Sequence, residues 1–75
     1  MGGKVVVADK QMSGSQHYIV IKETVGLLQQ EDYYFTLSCT KEQYDQVNVG
    51  DTVYCERFQS AVTYKGSINK IEVIS

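Results

Sequence analysis

Apolar and polar positions along this chain alternate in short bursts of strand length. Residues 4–9 (KVVVAD) are a β-branched run held between charges, too short for a helix, and predict a first strand. Residues 11–16 (QMSGSQ) are polar, with Gly14 between two serines, and predict the connection of a hairpin. β-branched and aromatic residues resume over 17–23 (HYIVIKE), a second strand with Ile19 and Ile21 on one face and Tyr18 and Val20 on the other. The cleanest alternation, at 32–39 (DYYFTLSC), sends Tyr33, Phe35, Leu37 and Cys39 one way and Tyr34, Thr36 and Ser38 the other. Between these two strands, residues 24–31 (TVGLLQQE) carry Val25, Leu27 and Leu28 around Gly26, either as a bent strand extension or as a loop with apolar residues.

The period then changes. Thr40, followed three residues later by Gln43, fits a capping box, in which the Thr hydroxyl accepts from the N3 amide and the Gln side chain returns to the cap. A short helix of about two turns follows, with Tyr44 and Val47 on a face toward the core and Lys41, Glu42, Asp45 and Gln46 in water. Gly50 ends it, since a turn there is open to glycine and closed to its β-branched neighbour. Residues 52–58 (TVYCERF) predict a fourth strand with Val53 and Cys55 inward and Tyr54 and Glu56 outward. Residues 68–74 (INKIEVI) predict a fifth, whose period slips at Asn69 and Lys70 as a bulge would make it. Three strands, a helix and two strands is the order of a small five-stranded OB-like barrel, mainly β. An SH3-like barrel is the alternative, and the helix between strands three and four ranks it second.

Two phrases carry a resemblance. Lys41-Glu42, Tyr44, Val47, Val49-Gly50-Asp51 and Val53, together with the early Val6-Val7, Asp9-Lys10, resemble segments of small OB-like β-barrel proteins of Gram-positive bacteria and their phages. About half the chain is covered. The resemblance implies a barrel and a biological origin, and it implies no activity.

Seventy-five residues allow one core, so residues 4–75 read as a single barrel domain and residues 1–3 as a flexible N-terminus. Cores this small are marginal, which makes a protein partner or self-association an expectation. Nine acidic against seven basic residues give a net charge of −2, which disfavours nucleic acid as a partner. No apolar run approaches the roughly 20 residues of a membrane span, so the chain reads as soluble. The cytoplasm is favoured, and an upstream anchor or export signal is left open.

Candidate chemistry is sparse. His17, the single histidine, has no nucleophile motif around it and reads as a sheet-edge imidazole. Glu31, Asp32 and Asp45 flank element ends, where carboxylates serve as solvated groups or caps. Neither a catalytic set, a cofactor site nor a metal site is expected. Cys39 and Cys55 both take inward positions and form a candidate disulfide if their Cα atoms come within about 7 Å. Strands three and four are not neighbours in an OB-like barrel, however, and free buried thiols are the simpler reading.

Six tyrosines supply the more informative set. Tyr18, Tyr34, Tyr54 and Phe58 fall on outward positions, with Lys22, Arg57, Lys65 and Lys70 nearby, and together make a candidate binding surface. Cross-strand aromatic packing is the competing explanation. Val25, Leu27 and Leu28 make a candidate partner-contact loop, against the expectation that they cap the open barrel end. The leading expectation is a non-enzymatic protein-interaction or accessory module. The alternative is single-stranded nucleic-acid binding through the aromatic face.

Overall fold

The computed structural model describes residues 2–26, 28–60 and 62–74. Five strands, β1 (Gly2–Ser13), β2 (Gln16–Val25), β3 (Glu31–Cys39), β4 (Thr52–Gln59) and β5 (Lys65–Val73), close into a barrel in the order β1-β2-β3-β5-β4. All neighbours run antiparallel except β3 and β5, which are parallel over Thr36–Ser38, and β1 closes the ring on β4. One helix, α1 (Lys41–Gln46), lies between β3 and β4. The chain is therefore the closed, mainly β five-stranded barrel that the element order predicts, with the helix between β3 and β4 in sequence and β5 inserted between them in the sheet.

Alternation sets the core. Val5, Val7, Ile19, Ile21, Phe35, Leu37, Val53, Cys55, Ile68 and Ile71 project inward, and Val47 joins them from the end of α1. Two bulges keep this set in phase with the curvature. The β1–β2 register passes from Val7↔Ile21 to Asp9↔Val20, leaving Ala8 unopposed. The β4–β5 register passes from Glu56↔Lys70 to Arg57↔Ile68, leaving Asn69 unopposed at the predicted slip.

Three boundaries differ from the pattern. β1 runs on through the polar residues to Ser13, because pairing with β2 satisfies their backbone whatever their polarity. Only Gly14 and Ser15 remain as the turn, with Gly14 at φ +60° in the first central position, where a left-handed residue matches the strand twist. β5 starts at Lys65 because residues 65–67 pair with β3. Gly2 and Gly3, expected to lie outside the barrel, pair with Glu56 and Cys55.

The capping box is formed as predicted. The Gln43 amide donates to Thr40 Oγ1 at 3.1 Å, and the Thr40 amide donates to Gln43 Oε1 at 3.0 Å. α1 packs Tyr44 against the core, and the buried Val47 follows in extended conformation. The Lys10 ammonium donates to the Val47 carbonyl at 2.8 Å and lies 4.2 Å from the centre of the Tyr44 ring. A cation therefore meets an orphan carbonyl at the helix C-terminus. Gly50 (φ +96°) then turns the chain, and its amide and the Asp51 carbonyl bond to Val7, which fixes this turn to β1.

Candidate binding surface

The registers place outward side chains of five strands in one transverse row. Gln11 opposes Tyr18, Tyr18 opposes Ser38, Ser38 opposes Ser67, and Ser67 opposes Phe58. Strands lie about 4.8 Å apart, so Tyr18 and Phe58 stand roughly 14 Å apart along the sheet. The two small serines between them leave the surface low. Beside this row is an open groove of about 410 Å³ lined by Gln11, Tyr18, Thr36, Lys65 and Gly66. Gly66 cannot carry a side chain here, because a Cβ would run into the Phe58 carbonyl oxygen. On the same β2–β3 face Lys22 opposes Tyr34, a residue 53% exposed.

Of the residues singled out from the sequence, Tyr18, Tyr34, Lys22 and Lys65 thus lie together on the β2–β3–β5 side, and Phe58 lies farther round the barrel on β4. Phe58 is 71% exposed. Tyr54 lies elsewhere, between Lys4 on β1 and Glu72 on β5. Lys70 follows that side of the barrel and pairs with Glu72 at 3.3 Å.

Arg57 does not belong to the surface at all. It continues the inward series Val53, Cys55, and its residue is 2% exposed. Inside the barrel its Nη1 donates to the Cys55 carbonyl at 2.9 Å and its Nε to Gln59 Oε1 at 2.6 Å, while Nη2 sits 3.4 Å from Glu23 Oε1. Gln59 in turn donates to Glu23 Oε2 at 2.9 Å. A readable signal existed, since Glu23 extends the inward parity of Ile19 and Ile21 just as Arg57 extends that of Cys55. Two opposite charges on inward positions near one barrel end mark an internal ion pair.

The expected cap of that end is also different. Leu28 is 99% exposed at the tip of the β2–β3 hairpin, Val25 is exposed beside it, and Leu27 lies outside the described residues. The end is covered instead by Tyr64, which stacks on Tyr33 (ring centres 6.4 Å apart, 10° between planes) and leans on Phe35 at 5.5 Å. Tyr64 reaches this place from a left-handed backbone (φ +56°) in the turn between β4 and β5. The Tyr33 hydroxyl donates to Glu31 at 2.6 Å, and that bond to a carboxylate raises the phenol above its ordinary pKa.

Cys39 and Cys55 are free thiols, separated by the intervening β5. Burial pushes both thiols up, which keeps them protonated and weakly nucleophilic. His17 opposes Cys39 and meets the Tyr44 ring edge-on at 5.1 Å. Among the described residues no three His, Cys, Asp or Glu side chains are grouped to hold a metal ion, and no helix is long and apolar enough to cross a membrane. The surface can offer stacking rings, hydroxyls, two ammonium groups and exposed apolar side chains, which are means of binding. No family model, curated protein or solved structure matches the chain.

Proposed function

We propose that this protein is a non-enzymatic interaction module that docks a protein partner with the end of the barrel formed by the β2–β3 hairpin and the β4–β5 turn. One observation carries the reading: among the described residues, five of the ten exposed large apolar side chains belong to that hairpin and that turn. Val25 and Leu28 occupy the hairpin, Tyr34 its β3 arm, and Val62 and Tyr64 the adjoining turn. Because β3 and β5 are parallel, the hairpin and the turn share one end, and the Tyr64 carbonyl accepts from Thr36 of β3. Scattered apolar residues need no explanation, but Leu28 at 99% and Val62 at 88% exposure, on a hairpin and a turn at the same end, have the character of an interface. The combined variant Leu28→Ser, Val62→Ser should keep the wild-type amide spectrum and lose the proteins that the wild type captures from lysate. Capture of the same proteins by the folded variant would remove this reading.

A second reading has its own observation. The groove beside Tyr18, with Lys65 on its wall and Tyr34 and Lys22 near it, lies on the β2–β3 face with which OB-like barrels take up oligonucleotides. The net charge of −2 weighs against it.

A further inference from the structure

The barrel is closed by a short seam. β3 pairs with β2 along its whole length, from Glu31 to Cys39, yet it pairs with β5 only at Thr36, Leu37 and Ser38. The Thr36 amide donates to the Tyr64 carbonyl, so the backbone of Thr36 faces the β5 side. Successive residues of a strand alternate in this respect too, and the backbones of Tyr34 and Asp32 therefore face the same side. Beyond Tyr64 the chain turns back, with its own bonds running from Tyr64 to Ser60 and from Ser60 to Lys65. Among the described residues none bonds to the backbone of Asp32 or Tyr34 on that side. Residues 31–35 thus present an open strand edge, next to the exposed apolar group named above.

Open edges are templates for pairing, and natural barrels usually cover or charge them. Here the charge is acidic: Glu31 and Asp32 are adjacent, so their side chains take opposite faces of the arm, and both are exposed. A second copy of the same edge would bring no basic residue to these carboxylates, since residues 31–35 hold none. We infer that this edge receives an extended polypeptide segment with two adjacent basic residues, which adds to the barrel as a further strand. The inference rests on the protein-interaction reading and names its mode. Main-chain bonds to Asp32 and Tyr34 hold the segment, the basic pair lies beside Glu31 and Asp32 on the two faces, and an apolar residue packs on the Tyr34 ring.

The test uses the full chain, isotope-labelled, with capped peptides Lys-Lys-Thr-Val-Thr-Val and Val-Thr-Val-Thr-Lys-Lys, one for each strand direction, and their Glu-Glu counterparts. One lysine peptide should slow hydrogen exchange at the Asp32 and Tyr34 amides by about tenfold, leave the β2-facing amides of Tyr33 and Phe35 unchanged, and have no effect in its glutamate form. Tyr34→Pro, which removes an amide from the open edge and none from the β2 ladder, should abolish the effect. Should that variant unfold, the exchange pattern of the wild type decides alone. Peptide shifts without protection at both amides, equal protection by the glutamate peptides, or protection that grows with protein concentration alone would each overturn the inference, the last by naming a second copy as occupant. Leu28→Ser should still protect both amides with the peptide. Loss of captured partners in the Leu28, Val62 variant, with no peptide protection in the wild type, would remove strand addition and keep the interaction reading.

Discussion

Desolvating a guanidinium is expensive, and Arg57 meets that cost with Glu23, Gln59 and the Cys55 carbonyl inside the barrel. Removing one partner of such a set leaves the other charge without compensation, whereas replacing the pair by apolar groups removes the cost with the interaction. Glu23→Ala should therefore destabilise the fold by up to about 3 kcal/mol, the partial exposure of Glu23 lowering the figure. The double change Glu23→Met, Arg57→Met should cost less than Glu23→Ala alone. Urea denaturation of the variants measures both. A loss below about 0.5 kcal/mol in Glu23→Ala, the size of an ordinary surface change, would show that the guanidinium is compensated from elsewhere.

At the level of elements, the narrow seam between β3 and β5 depends on Gly66. It pairs with Leu37 on one side and Gln59 on the other, and the Phe58 carbonyl fills the space where a Cβ would stand. Gly66→Ala must push β5 from β4 or break the three-residue parallel ladder, and should cost about 2 kcal/mol or more. Exchange at the Ser38 and Ser67 amides should rise before global unfolding. An unchanged exchange pattern would mean that the backbone absorbs the methyl without opening the seam. None of this was visible in advance, because a glycine in a strand pattern does not say which neighbouring backbone approaches it. What alternation and turn chemistry can reveal was legible: the inward positions of β2 and β3 and those of β4 as far as Cys55, the capping box at Thr40 and the slip at Asn69. What depends on pairing was not, including the extension of β1 to Ser13, the early start of β5 and the transverse row from Gln11 to Phe58. Tyr18 and Tyr34 were read as surface residues from parity alone. The distance of Tyr54 and Phe58 from them follows from the strand order, which parity does not contain.

At the scale of the whole molecule, the groove beside Tyr18 offers lysines and the barrel end offers apolar side chains, and that difference makes the two readings of function distinguishable by salt. A single strand lying in the groove would meet Lys22 and Lys65 as its only lysine contacts on that face among the described residues, since Lys70 is paired with Glu72 on the other side. Two phosphate contacts on a single strand give a slope of about −1.4 in log K against log salt concentration. Stacking on Tyr18 adds an amount that salt does not touch, so Tyr18→Ala should lower affinity by about 1–3 kcal/mol at every salt concentration and leave the slope alone. Lys65→Ala should instead halve the slope. Fluorescence anisotropy of a labelled oligothymidylate from 20 to 200 mM salt reads all three, the range being about tenfold so that even a shallow slope is resolved. A much steeper slope, or one indifferent to Lys65, would place the nucleic acid on another surface. No binding at low salt, where two lysines are least screened, would exclude the groove as a strand site and leave the proposed docking surface at the exposed apolar end of the barrel as the reading to test.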